Sequence, residues 1–191
     1  MATTRVQPAR TVVVPAPAGV DQLGFVVPDI EAAMAYWSEV LGVGPFFYLP
    51  KSAIRSLTYQ GRETDVASST ALAQCGGVQI ELVQQRNDAP SAYADFLRDH
   101  PTGGLHHLGR FVSDYDAAVA ESTAAGRQVI QEGSSSDRIR FCYVGGPGRP
   151  GMPLELIEVP ALRVLFDHIA DAARTWDGSA PVRSVDHTML G

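Results

Sequence analysis

Cysteine is scarce in this sequence, and neither residue points to a disulfide or a thiolate metal site. Only Cys75 and Cys142 occur among the 191 residues, far apart and without the Cys-x-x-Cys spacing of such sites. Each lies in an apolar stretch typical of a strand, where a free cysteine usually behaves as a small buried hydrophobic residue. We therefore expect neither a disulfide framework nor a catalytic thiol.

Excess positive charge and long apolar runs are absent too. The net charge is -6, which leaves no basic stripe for nucleic acid and no polybasic anchor for a membrane. Pro15 and Pro17 interrupt the apolar residues Thr11 to Val14, so neither a signal peptide nor a membrane span is predicted. The sequence predicts a cytoplasmic protein that acts on a small molecule, with a flexible N-terminal arm over residues 1–18.

A repeated segment is the most informative feature that is present. Residues 21–37 read DQLGFVVPDIEAAMAYW and residues 106–122 read HHLGRFVSDYDAAVAES. The two align without gaps, so that Gln22 matches His107 and Gly24 matches Gly109. A duplicated strand-and-helix unit predicts a pseudosymmetric fold, in which equivalent residues converge on one site between the halves.

Each copy of the repeat predicts a strand, a helix and three further strands. In the first copy the strands are expected near 20–27, 54–60, 66–74 and 77–84; a helix capped by Asp29 carries Ile30, Met34, Trp37 and Leu41 on one face and ends at Gly42. In the second copy the strands are expected near 106–112, 127–132, 138–144 and 153–159, with a helix between Asp114 and Gly126. The fold class is therefore α+β, with β-α-β-β-β modules over 19–88 and 105–160. Residues 89–104 form a connector with a short helix from Ser91, and 161–191 form a C-terminal helix over 161–175 and an irregular tail.

Two glutamates stand at equivalent places in apolar strands. Glu81 lies in VQIELV and Glu155 in PLELIE, and burying a carboxylate costs several kcal/mol unless it is paired or binds a metal. With Gln22 and His107 they form a matched set of four possible ligands, beside which the small Gly24 and Gly109 would leave space for a pocket. One imidazole, two carboxylates and an amide oxygen suit Zn, Ni, Co, Mn or Mg, with positions left for adjacent oxygens of a substrate. Glu155 or Glu81 could then act as the general base.

Plainer interpretations exist for each residue. His107 could be a hydrogen-bonded structural histidine, the glutamates could face solvent, and Gln22 could simply bind the floor of a pocket. His106 is expected to face away from His107, and Glu158 away from Glu155. The aromatic residues Phe46, Phe47, Phe141 and Tyr143 could line the pocket or belong to the core.

Four segments resemble the vicinal oxygen chelate superfamily, which includes lactoylglutathione lyases, methylmalonyl-CoA epimerases, extradiol dioxygenases and bleomycin-resistance proteins. They are Gln22 to Asp29, Ile80 to Val83, Gly104 to Gly109 and Leu154 to Glu158. The resemblance covers roughly residues 20–160 and is strongest to the glyoxalase and epimerase type branch. It implies that the two modules form an open, cup-shaped sheet of eight strands, with a divalent metal held by Gln22, Glu81, His107 and Glu155, and that the protein is a homodimer.

The residue at position 22 separates the activities found in that family. Most members have histidine where this chain has Gln22, so the two-histidine, one-carboxylate iron site of a dioxygenase is incomplete here. Some lactoylglutathione lyases use glutamine at this place. The sequence thus predicts a metal-dependent isomerase, epimerase or lyase that moves a proton next to a carbonyl, with Glu155 and Glu81 as catalytic residues and a substrate with adjacent oxygens. A non-catalytic binding protein of the bleomycin-resistance kind is the alternative, and an extradiol-type dioxygenase ranks third.

Overall fold

The computed structural model describes residues 19–136, 139–146 and 152–185. The N-terminal arm expected over residues 1–18 lies outside these ranges. In chain order the elements are β1 (Gln22–Val26), α1 (Ile30–Glu39), β2 (Phe46–Leu49), β3 (Ser56–Tyr59), β4 (Arg62–Glu63), β5 (Ser68–Cys75), β6 (Val78–Gln85), α2 (Ala92–Asp99), β7 (Gly104–Val112), α3 (Tyr115–Ala124), β8 (Gln128–Ser136), β9 (Ile139–Gly145), β10 (Leu154–Glu158), α4 (Arg163–Arg174) and β11 (Val182–Ser184).

All the described strands belong to one sheet, in the order β11-β2-β5-β6-β1-β7-β10-β9-β8-β3-β4. Within it, β2-β5-β6-β1 and β7-β10-β9-β8 are the same four-strand arrangement built twice, and the two halves meet where β1 pairs antiparallel with β7. The predicted α+β class and the eight-stranded open sheet are therefore present. Three further short strands extend the sheet, β11 at one edge and β3 with β4 at the other.

Alternation along the strands separates the two faces of the sheet. In β6, Ile80 and Leu82 pack with Ile30 and Met34 of α1, whereas Glu81 and Val83 line a cavity on the opposite face. The caps form as expected, because the Asp29 and Asp114 carboxylates accept the N–H groups of Ala32 and Ala117. The predicted C-terminal helix, α4, buries Leu165 and Ile169. It packs on the cavity side of the sheet with Phe47, Leu72 and Ile157.

The second strand of the first unit lies elsewhere than predicted. Residues near 54–60 do form a strand, β3, but it pairs with β8 of the other half, and the place in the first unit is taken by β2, which pairs with β5. Phe46 and Phe47 of β2 are both buried, one against α1 and one against α4. A strand covered on both faces shows no apolar and polar alternation, so its sequence carried no period-two signal.

Three smaller expectations were also wrong. The tail contains β11, which pairs parallel with β2, although its three residues are too few to show a pattern. Helix α1 ends at Glu39, so Leu41 lies beyond it and is 47% exposed. Cys75 ends β5 at a turn and is exposed, while Cys142 is buried.

Among the described helices, none is both long and apolar enough to cross a lipid bilayer.

Two glycines allow β1 and β7 to meet with large side chains between them. Gly24 faces His107 across the ladder, and Gly109 faces Gln22. A Cβ atom on Gly24 would lie 1.9 Å from Cε1 and Nε2 of His107, and one on Gly109 would lie 2.8 Å from Oε1 of Gln22. Because each glycine has no side chain, it leaves room for the large side chain that faces it on the opposite strand.

We predict that Gly24→Ala destabilises the fold by about 1–3 kcal/mol, because an overpacked core must displace the buried His107 ring. Urea unfolding followed by circular dichroism measures the change. Gly77→Ala is the matched control, since a Cβ atom there meets nothing within 4 Å. Equal stability of the two variants would contradict the prediction.

Candidate metal centre and its cavity

The two glycines also organise the four polar residues singled out in the sequence. In the sheet register Gly24 lies between Glu81 of β6 and His107 of β7, and Gly109 lies between Gln22 of β1 and Glu155 of β10. The pairs are related by the pseudosymmetry of the two units. All four predicted residues are thus on the four central strands, at the junction of the halves.

Three of these side chains converge on one point. The Nε2 atom of His107 lies 3.2 Å from Oε2 of Glu81 and 3.0 Å from Oε2 of Glu155, and one atom from each residue lies within 4.8 Å of the others. His107 and Glu155 are buried, and the Glu81 side chain is 16% exposed. The site therefore concentrates two carboxylates and an imidazole where water has little access.

The distances are those of hydrogen bonds, but the angles are not. His107 Nε2, Glu81 Oε2 and Glu155 Oε2 are all buried without a properly directed hydrogen-bond partner among the described residues. Two ligands at right angles around a cation, each at ~2.1 Å, lie about 3.0 Å apart. The three atoms have the spacing and the chemistry to hold a divalent cation.

Gln22 presents its oxygen in the same region. Its Nε2 donates to Oε1 of Gln79 at 2.8 Å, while its own buried Oε1 has no hydrogen-bond partner within the described ranges. Gln22 lines the same cavity as Glu81 and Glu155. Gln79 therefore fixes the amide in the orientation that leaves the oxygen available as a fourth ligand.

His106 supports His107 from behind. The Nδ1 atoms of the two rings are 3.0 Å apart. Burial and the charge of His107 lower the pKa of His106 to about 3, against a weaker opposing hydrogen bond to the Ala92 backbone. A neutral His106 accepts the Nδ1–H of His107, which leaves Nε2 of His107 facing the carboxylates, the arrangement that orients many metal-binding histidines.

The buried charges shift each other's titration. Burial lowers the pKa of His107, but Glu155 and then Glu81 outweigh it and raise that pKa to about 9. Burial raises the pKa of Glu81, and the charge of Glu155 raises it further, against the partial opposition of His107. Without a cation, a proton on His107 therefore provides the positive charge that the two carboxylates require.

The site forms the floor of a cavity of about 340 Å³. Tyr93 and Tyr143 stand beside Glu155 at the floor, and strand and loop residues such as Leu72, Phe141 and Ile157 form the walls. Helix α4 closes one side with Leu165 and Phe166, together with Leu162 just before the helix. Arg55 and Ser135 also line the cavity.

The structure brings together the four residues that the sequence selected. The expectation that His106 faces away from His107 was wrong, because the β1–β7 register skips His106 at a bulge and the Nδ1 atoms of the two rings lie 3.0 Å apart. Glu158 is directed away and pairs with Arg140. Of the four aromatic residues considered, Phe141 and Tyr143 line the cavity, whereas Phe46 and Phe47 are core. Sequence reasoning missed Gln79, although it stands two residues before Glu81 on the same strand face. It also missed Tyr93 and the α4 wall, for which no motif gives a signal.

Residues 21–143, well over half of the chain, match the Glyoxalase/Bleomycin resistance protein/Dioxygenase superfamily. The chain belongs to this superfamily, whose metal-chelating members are the vicinal oxygen chelate proteins considered above.

Its relatives include epimerases. The chain is 28% identical over 158 residues to a 2-epi-5-epi-valiolone epimerase of Actinomyces, with 78% of this chain and 83% of the relative covered. It is 26% identical over 130 residues to an ethylmalonyl-CoA/methylmalonyl-CoA epimerase of Cereibacter sphaeroides, with 68% and 82% covered. The crystal structure of methylmalonyl-CoA epimerase from Mycobacterium tuberculosis superimposes with a TM-score of 0.52 at 20% identity, over 73% of this chain and 86% of that one. The last comparison confirms the fold.

We predict that the chelator-treated protein loses stability as the pH rises from about 6.5 to 9. The pKa of His107 is about 9 in the folded protein against an ordinary value of 6.5, so its proton contributes in full below pH 6.5 and is lost as the pH passes 9. The raised pKa of Glu81 acts in the same direction. Thermal unfolding in EDTA across this range measures the loss. His107→Gln should show a flatter profile, and the same slope in both proteins would refute the assignment.

Proposed function

We propose that this protein is a divalent-metal-dependent epimerase or isomerase that removes and returns a proton on the carbon next to a carbonyl group. The observation that carries the proposal is the convergence of Nε2 of His107 with one oxygen each of Glu81 and Glu155, all buried without directed hydrogen bonds. The epimerase relatives support the same class of reaction.

Each residue of the site has a role in this reaction. His107, Gln22 and the carboxylates would hold the cation, which when bound would supply Lewis-acid polarisation of the substrate carbonyl. Glu155 or Glu81 takes the proton from the adjacent carbon and gives it back. A carboxylate positioned beside the reacting carbon is a suitable general base.

The cavity above the site indicates the kind of substrate. Its floor is polar, whereas α4 and the facing strands supply an apolar wall that includes Leu72, Ile157 and Phe166. We infer that the substrate places its oxygens on the floor and an alkyl or aromatic part against this wall. The same apolar wall favours a second candidate function, sequestration of a small molecule without turnover.

Metal loading and solvent exchange test the proposal. We expect protein purified without chelator to contain about one divalent ion per chain, and to exchange the proton of a substrate for deuterium in D₂O. The first compounds to test are those in the names of the two epimerase relatives: methylmalonyl-CoA, ethylmalonyl-CoA and 2-epi-5-epi-valiolone. NMR measures the exchange. Glu81→Gln and Glu155→Gln should slow exchange at least about 100-fold, the usual contribution of a general base.

Glu158→Gln is the matched control, because Glu158 lies on the same strand as Glu155 but pairs with Arg140 on the opposite face. It should exchange at the wild-type rate. Absence of a bound metal in the wild-type protein would refute the proposed mechanism. Tight binding of a compound without any exchange would support the sequestering role instead.

Truncation of the α4 wall should weaken substrate recognition without disturbing the metal. Phe166→Ala removes a half-buried ring from the cavity wall, and we expect kcat/KM to fall about tenfold for the preferred substrate while metal content is unchanged. Val164→Ala is the control, since Val164 lies on the same helix and is 67% exposed. Equal kcat/KM values for the two variants would show that α4 does not contact the substrate.

A further inference from the structure

Two tyrosines meet at the floor of the cavity and have no part in the reaction described so far. Tyr93 comes from α2, in the connector between the repeats, and Tyr143 from β9. Their hydroxyl oxygens are 2.9 Å apart, and both residues are almost fully buried, with 4% and 1% exposure. Both line the cavity that Glu81 and Glu155 enter.

The pair lies next to the candidate metal centre. Tyr143 faces Glu155 across the β9–β10 ladder, and its ring centroid is 4.9 Å from that of His107. The start of α2, which carries Tyr93, is held in place because the side chain of Gln131 accepts the N–H of the preceding residue, Ala92, at 2.9 Å. The hydroxyl pair is therefore positioned by two separate elements, the start of α2 and strand β9.

One of the two hydroxyl hydrogens of the pair is left without an acceptor. Two hydroxyl groups carry two hydrogens, and the bond between them uses one, whichever residue donates. Within the described parts of the chain, no acceptor takes the second. A buried donor without an acceptor is costly, and both tyrosines line the cavity, where an oxygen of a bound molecule could accept the hydrogen.

The pair is a donor rather than a base. The ordinary pKa of a tyrosine hydroxyl is about 10, and these two are buried in contact with each other, so both keep their hydrogens at neutral pH. A neutral donor that cannot ionise is suited to an oxygen that becomes negative during a reaction.

We propose that the Tyr93–Tyr143 pair donates its second hydrogen as a hydrogen bond to the substrate oxygen that becomes negative when the neighbouring C–H bond breaks. This rests on the proposed function. In that step a carboxylate takes the proton, the electrons of the C–H bond form a C=C bond, and the carbonyl electrons move to oxygen. The tyrosine hydrogen remains on its own oxygen, and return of the proton to carbon reverses every change.

The test uses Co²⁺-loaded protein and acetohydroxamate, a small planar anion with two adjacent oxygens that mimics the proposed intermediate. The visible absorption of cobalt reports binding. Tyr143→Phe and Tyr93→Phe should keep about one cobalt per chain but bind the probe about 10- to 100-fold more weakly, as for loss of a hydrogen bond to a charged group. The double variant should bind the probe about as tightly as the single variant of lower affinity, because removal of either hydroxyl already breaks the pair.

Tyr115→Phe is the matched control. Tyr115 is also buried, but its hydroxyl donates to Glu132 at 2.8 Å and does not line the cavity, so probe affinity should equal that of the wild type. If one cavity variant does not fold, the other single variant decides. Wild-type affinity in the Tyr143 and Tyr93 variants, or no probe binding by cobalt-loaded wild type, overturns this inference alone. Failure of the wild type to bind cobalt overturns the proposed function and the inference together.

Discussion

The close approach of β1 and β7 is the constraint on which the rest of the structure depends. Gly24 and Gly109 stand at this junction, and each lies between two of the four polar residues of the site. With any larger residue at Gly24, the His107 ring would have no room, and Nε2 could not lie 3.0–3.2 Å from both carboxylates. The shape of the sheet and the geometry of the site therefore have the same origin.

The junction concentrates charge where it is costly, so the surrounding core must offset it. An unpaired buried ion costs several kcal/mol, whereas a fully buried aliphatic or aromatic side chain contributes roughly 1.5–3 kcal/mol. Helices α1 and α3 pack apolar clusters against the outer face of the sheet, and α4 packs another on the inner face. A bound cation would remove much of the remaining cost, which links stability to the state of the site.

How far the sequence predicts this molecule depends on whether a feature is repeated. Gln22 and His107 could be found because each occupies the same place in a duplicated segment, and Glu81 and Glu155 because a carboxylate inside an apolar strand requires a reason. Strand β2 was not predicted because it is covered on both faces and shows no alternation. Strand β11 was not predicted because three residues are too few to show a pattern. Tyr93 reaches the site only through the packing of α2, which depends on contacts between residues distant in sequence.

This division between repeated and unrepeated parts has a functional counterpart. The repeats supply the carboxylates, the imidazole and the amide, which are the groups that determine a class of reaction. The connector and the C-terminal segment supply Tyr93 and the α4 wall, which can change without moving the junction because neither lies on its four central strands. Even within the repeats the two halves differ, since the first half presents the neutral Gln22 to the site and the second half presents His107. Gln22 is held by Gln79, whereas His107 is held by His106. A glutamine in place of a second imidazole makes the site harder and favours oxygen-rich coordination, and such coordination suits the polarisation of a carbonyl better than the activation of oxygen.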